Sequence, residues 1–174
     1  MFVGIDPSLT NTAIVWLDGN KVIFHHIIKT PPTKDWKNGI YRIRGIITEL
    51  TSILYPNTVP YIHCVVLEGY SYGSRFQSHQ LGELGYALRD YLLGVYGELV
   101  FVVPPKTLVK FVTGNGNSKK KDVANKIKSM GIELPTEHHY DACSCALFGK
   151  GIMNNAGLSK LQRVVLEKYL GSNK

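Results

Sequence analysis

Met1-Phe2-Val3-Gly4-Ile5-Asp6-Pro7-Ser8 opens the chain, and the reading of this stretch decides the fold. Apolar residues lead into an acid, and Pro7 and Ser8 then break the run. A short apolar run closed by turn residues reads as a buried central strand. A carboxylate where such a strand frays must be solvated, hydrogen-bonded or holding a cation, because burying it unpaired is too costly. Ile62-His63-Cys64-Val65-Val66-Leu67-Glu68 repeats the pattern, an apolar run ending in an acid. Two strands of this kind can bring their carboxylates to one edge of a sheet. A third acid, Asp141, follows near the C-terminus beside His138.

Working outward from the first strand, Thr12–Leu17 and Lys21–Ile28 read as a second and a third. Asp18-Gly19 between them is a strong hairpin signal, so three antiparallel strands are expected before Pro31-Pro32 ends the segment. From Trp36, apolar residues at Ile40, Ile43, Ile47, Leu50 and Leu54 fall at helical spacing. The strand Ile62–Leu67 comes next, then a loop over Gly69–Gly73 bearing two tyrosines. A helix is expected from about Arg75 to Gly94, with Leu81, Leu84, Leu88, Tyr91 and Leu92 on one side. Gly82 and Gly85 inside it cost about 1 kcal/mol each relative to alanine, which points to close approach by a ligand or, the favoured reading, a neighbouring helix. Leu99–Val103 is a fifth strand, closed by Pro104-Pro105.

The C-terminal half reads as helices. A short one over Thr107–Val112 leads into the Gly/Asn loop 114–117, read as flexible. Ser118 looks like the N-cap of a helix that begins Lys119-Lys120-Lys121 and reaches about Met130. Positive charge at a helix N-terminus opposes the macrodipole, so a nearby polyanion explains it better than local stability does. Leu134-Pro135-Thr136 starts the helix carrying His138, Asp141, Ala142, Ala146 and Leu147, with Gly149 and Gly151 expected to end or loosen it. A last amphipathic helix lies within 157–170, its apolar side including Leu161, Val165 and Tyr169. The order βββαβαβ followed by helices predicts a five-stranded mixed α/β sheet, three antiparallel strands and then two parallel, with helices on both faces. No linker or repeat interrupts 1–174, so a single domain is expected.

A chain of 174 residues, 44% hydrophobic and 19% charged, has the means to bury a core. Lys and Arg total 20 against 13 for Asp and Glu, a net charge of +7. That balance favours polyanionic partners, nucleic acid before membrane surface. No apolar run is long enough to span a bilayer and no secretory leader pattern opens the sequence, so neither membrane insertion nor secretion is expected. The three cysteines, Cys64, Cys143 and Cys145, form no disulfide framework, which suits a reducing cytoplasm.

Cutting a phosphodiester needs a water made nucleophilic and a leaving oxygen stabilised, and two divalent ions can do both. Mg²⁺ prefers carboxylate oxygens. Asp6 and Glu68 arrive from two strand ends, while His138 and Asp141 lie three residues apart on one helix and so share a face. His139 is an alternative to His138 as a ligand. A zinc site from His138, Cys143 and Cys145 is disfavoured, because no CxxC pair exists and alternating cysteines in an apolar helix read as core.

These residues resemble a family. Gly4-Ile5-Asp6-Pro7-Ser8-Leu9-Thr10-Asn11-Thr12 is similar to the opening motif of the RuvC Holliday junction resolvases. So are Leu67-Glu68, followed by Gln80-Leu81-Gly82-Glu83-Leu84-Gly85, and His138-His139-Tyr140-Asp141-Ala142. The likeness covers about the first 150 residues and looks most like the small phage-encoded members. It implies an RNase H-like fold, a homodimer, two Mg²⁺ or Mn²⁺ ions per site, and paired nicks across a four-way DNA junction, with no small-molecule cofactor. Asp6, Glu68 and Asp141 match the family's metal-binding acids. His138 stands where many members have a fourth acid, which would favour Mn²⁺ or supply a general base. Lys110 and Lys120 match DNA-contacting positions, and Lys119 and Lys121 flank the second. Tyr70 and Tyr72 are expected to stack on unpaired bases and Arg75 to hold a phosphate. Ser71 occupies the family's aromatic position itself.

Two other classes of function remain open on the sequence. One is a module of the same fold that grips branched DNA without cutting it. The other is an actin-like ATPase, whose phosphate loop resembles Gly4-Ile5-Asp6 but whose fold needs two lobes where this chain supplies one.

Overall fold

The computed structural model describes residues 1–55, 61–69 and 78–172. Its strands are β1 (Phe2–Asp6), β2 (Asn11–Asp18), β3 (Lys21–Lys29), β4 (Cys64–Glu68) and β5 (Val100–Val103). Helix α1 (Trp36–Leu54) follows β3, and α2 (Ser78–Tyr96) lies between β4 and β5. Four helices complete the chain: α3 (Pro105–Thr113), α4 (Lys120–Lys128), α5 (Glu137–Met153) and α6 (Lys160–Gly171). The strands form one sheet in the order β3-β2-β1-β4-β5. β1 pairs antiparallel with β2 and parallel with β4, and β4 pairs parallel with β5. The expected mixed sheet is therefore the observed one.

Residue parity along the strands sorts the side chains into two cores. Val3 and Ile5 of β1, Ile14 and Trp16 of β2, and Val65 and Leu67 of β4 pack with Ile43, Ile46, Leu50 and Leu54 of α1 and Leu84, Leu88 and Leu92 of α2. Ala13, Val15 and Leu17 of β2 and Cys64 and Val66 of β4 face the other way, onto α5 and the helices around it. Helices thus cover both faces. The three cysteines are buried and unbridged in this arrangement, as core residues should be.

Several local expectations need correction. The two-residue hairpin loop is Gly19-Asn20 rather than Asp18-Gly19, because Asp18 still pairs with Lys21 and Gly19 takes a φ of +57° that glycine tolerates. On α1 the buried stripe runs through Ile46. Ile40 is 42% exposed, since the helix meets the sheet one turn further on. The helix expected from Arg75 is described from Ser78, and Arg75 lies outside the described residues. Among the described residues, a side chain at Gly82 would meet nothing within 4 Å, so no close approach explains that glycine. Ser118 does not cap α4; its hydroxyl bonds Thr113, and Lys119 takes the cap position with its N–H donating to Asp122 at 2.9 Å. The loop 114–117 is a hydrogen-bonded turn, built on Gly114 at φ +91° and on Asn115 accepting from the Asn117 N–H at 3.1 Å.

Gly149 and Gly151 neither end nor loosen α5, which runs through both to Met153. They let it sit close. A Cβ at Gly149 would stand 2.7 Å from the Cys64 sulfur, and one at Gly151 would stand 2.9 Å from the Phe111 ring. On α6, Ser159 caps the first turn, and Val165, Leu166 and Tyr169 are buried, while Leu161 is 40% exposed.

Candidate functional site

Strand parity and a missing side chain build the acidic cluster. Phe2, Gly4 and Asp6 alternate with Val3 and Ile5, so Asp6 points to the α5 face of the sheet. The same count along Cys64, Val66 and Glu68 sends Glu68 there too. Parallel pairing aligns Gly4 with Val66 and Ile5 with Leu67, so both carboxylates leave the sheet at the carboxyl ends of neighbouring strands. Gly4 then decides how near α5 can come. A Cβ there would overlap the Ala142 carbonyl oxygen outright and stand 2.9 Å from the Cβ of Cys145. With only hydrogen at that position, α5 rests on β1, and its first turns hang His138 and Asp141 over the strand ends. A glycine inside a strand is a sequence signal for such an approach. In this chain the signal that mattered was at Gly4, not at Gly82.

The polar groups are paired two by two. Nδ1 of His138 donates to Oδ2 of Asp6 at 3.1 Å, and Nζ of Lys120 donates to Oδ2 of Asp141 at 2.6 Å. Asp6 is 8% exposed and Asp141 is half-buried. Beneath them the Cys145 thiol donates to the Ile5 carbonyl at 3.7 Å, and burial raises its pKa well above the usual thiol value. Burial pushes the Glu68 carboxyl up to about 8, with the charges of Asp6 and Asp141 adding to the shift and Lys120 opposing it. Burial also raises the Asp141 pKa, against the bond from Lys120. The bond to Asp6 raises the His138 pKa in spite of burial, which favours its protonated form as a counter-charge to that carboxylate. Burial alone would lower the Lys120 pKa, but its hydrogen bond and ion pair with Asp141 outweigh that.

Asp6, Glu68, His138 and Asp141 are thus brought to one end of the sheet. Among the described residues, however, no three His, Cys, Asp or Glu side chains stand where they could hold one metal ion. Lys120, matched in sequence to a DNA-contacting position, puts its ammonium into the acid cluster. Its sequence position gave no sign of this, because α4 and α5 meet only through tertiary packing. His139 turns away from the acids. It is buried, bonded to Thr136 at 2.8 Å and edge-to-face with His25 at 4.9 Å between ring centroids. Burial first, then the neighbouring histidines, holds its pKa down at about 4.

The remaining basic candidates lie on α3 and at the start of α4. Lys119 and Lys121 are exposed at the start of α4, and Lys110 is exposed on α3, lining a groove against α6. Tyr70, Tyr72 and Arg75 lie outside the described residues. No described helix is long and apolar enough to cross a membrane.

No protein-family model matches the sequence, and no curated protein matches it. Solved structures do. Thermus thermophilus RuvC is similar with a TM-score of 0.62 at 22% identity, over 87% of this chain and 95% of that one. Thermus thermophilus RuvC in complex with a Holliday junction substrate is similar with a TM-score of 0.61 at 21% identity, over 84% of this chain and 92% of that one. The chain has a RuvC-like, RNase H-like fold.

Proposed function

We propose that this protein is a metal-dependent endonuclease that resolves four-way DNA junctions by paired nicks. One observation carries the reading: Asp6 and Glu68 leave adjacent parallel strands on the same face, under Asp141 and His138 of α5, in a RuvC-like fold. The donor chemistry fits a hard divalent ion such as Mg²⁺ or Mn²⁺, since three of the four groups are carboxylates. Their mutual repulsion contributes to holding the Glu68 carboxyl near 8, and a bound divalent charge relieves such repulsion. Asp6, Glu68 and Asp141 would hold the ions, with His138 beside Asp6. Bound there, two ions would activate a water and stabilise the leaving oxygen.

The chain's own groups contribute the rest. His138 orients the Asp6 carboxylate through its Nδ1 hydrogen. Lys120 neutralises Asp141 and stands ready to meet a phosphate. Lys119 and Lys121, exposed beside Lys120 in sequence, add positive charge for the backbone, Tyr70 and Tyr72 are assigned to stacking on unpaired bases, and Arg75 to a phosphate. Paired nicks require two such sites, hence a homodimer. RuvC's Holliday junction substrate complex is the comparison that supports branched DNA as the partner.

A second reading is favoured by a specific observation. With Lys120 on Asp141 and no three described ligands gathered, the same fold would grip a junction without cutting it. Labelled four-way, three-way and linear DNA, incubated with and without Mg²⁺ or Mn²⁺, separates the two. The nuclease gives metal-dependent symmetric nicks on the four-way substrate, and Asp6→Asn reduces them at least about a hundredfold. Salt-sensitive binding with no product under either metal supports the binding module instead.

A further inference from the structure

A cavity of about 410 Å³ opens between α3 and α6, away from the acid cluster, lined by Lys106, Lys110, Lys168, Asn117, Tyr169 and Ser172 among others. Lys106 and Lys110 stand four residues apart on α3, so they share a face and repel each other. Lys168 comes from α6 on the opposite wall. All three are exposed, and none is ion-paired with a described residue. The dipoles of α3 and α6 favour Lys110 and Lys168 in their last turns, but Lys106, in the first turn of α3, opposes the dipole there and has no local reason to be a cation. Tyr169 forms part of the floor, its hydroxyl donating to the Val102 carbonyl at 3.0 Å and so tying α6 to the sheet. That anchor makes the wall bearing Lys168 a fixed one.

The hollow is also linked along the chain to the basic residues beside the acid cluster. Asn117 lies in the turn that joins α3 to α4, three residues before Lys120. Along the chain, Lys119 and that turn therefore connect the Lys120–Asp141 pair to the α3–α6 groove.

We infer that this groove seats the phosphodiester backbone of a DNA arm, with Lys106 and Lys168 gripping phosphates that the acid cluster does not reach. Charge complementarity selects the occupant: a strand offers phosphates at a regular spacing to ammonium groups that have no ion-pair partner among the described residues, on a protein of net charge +7. The assignment rests on the DNA-directed reading above and gives the C-terminal helix a role in it.

The test is the salt dependence of binding to a labelled four-way junction by the wild type and by Lys106→Ala/Lys168→Ala. Each phosphate that is no longer neutralised lowers the slope of log K against log salt by about 0.9, so the double variant should show a slope shallower by about 2, and its affinity drop between 50 and 200 mM salt should be about tenfold smaller than the wild type's. Lys106→Arg/Lys168→Arg should keep the wild-type slope, which separates charge from damage to the fold. An unchanged slope in the alanine variant overturns the assignment, as does a wild type that binds no DNA. So does inorganic phosphate that binds the wild type and not the alanine variant while the two show the same salt slope on DNA, for the groove would then hold a free anion. A reduced slope in a protein that never nicks DNA supports the groove and removes the nuclease reading. Nicking with an unchanged slope does the reverse.

Discussion

The two faces of the sheet are packed by opposite means. On one, α1 and α2 stand off on large aliphatic side chains, with Ile46, Leu50, Leu84, Leu88 and Leu92 meeting Val3, Ile5, Val65 and Leu67. On the other, α5 lies against β1, β2 and β4 where side chains are small or missing: Gly4 beneath Ala142, Cys145 and Ala146, and Cys64 and Val66 beneath Gly149. Aliphatic packing tolerates adjustment, because methylenes can shift into neighbouring space. Backbone laid on backbone does not. The acids sit on the rigid face, where the height of one helix over one strand fixes the distance between His138 and Asp6. A site that needs its groups held to a fraction of an ångström is well placed there.

Breaking the close face should have the largest effect. Gly4→Ala forces a methyl into the Ala142 carbonyl, and we expect a loss of more than about 3 kcal/mol in urea unfolding, together with the His138–Asp6 bond. A variant that folds with wild-type stability would show that α5 can lift freely and would undo the contrast.

The second prediction concerns the charge that the close face confines. The Glu68 carboxyl sits at about 8 in the folded chain against an ordinary 4.5, so folding favours its protonated form. Its contribution to stability is complete below about pH 4.5 and is lost as pH rises towards 8. In metal-free buffer, Glu68→Gln should therefore gain on the wild type by something on the order of a few kcal/mol between pH 4.5 and 8. Equal differences at both pH values would mean that Glu68 is not crowded.

On the aliphatic face, Leu88→Ala should cost at least about 2 kcal/mol by thermal or urea unfolding, through the cavity it leaves. Whatever nicking activity the wild type shows should survive in the folded fraction. The smallest effect is a gain. Gly82 sits on α2 with open space around it among the described residues, so Gly82→Ala should stabilise by about 0.4–1 kcal/mol. A loss there would place a neighbour against α2, such as a second copy of the chain.

Much of this was legible in the residues. The apolar runs ending in Asp6 and Glu68, the hairpin and the helical spacing after Trp36 were enough for the mixed sheet and its two layers. Those features are local, and alternation with period two or three to four survives in any folded context. Buried positions within a helix were less legible: Ile40 for Ile46 is a slip of the stripe that only the crossing point with the sheet corrects. The helix glycines misled for the same reason. Gly82, Gly149 and Gly151 look alike in sequence, yet among the described residues a Cβ clashes at the last two and meets open space at the first.

The sequence by itself determined which carboxylates exist and that two of them end strands, because strand parity is a property of the chain. It determined as well the excess of positive charge. Only the tertiary structure decided that His138 rather than His139 faces Asp6, that Lys120 enters the acid cluster, and that three lysines from α3 and α6 share one hollow. Each of these depends on the angle and height at which one helix meets another element. Such placements arise from the sum of many weak contacts, and no short stretch of residues encodes that sum.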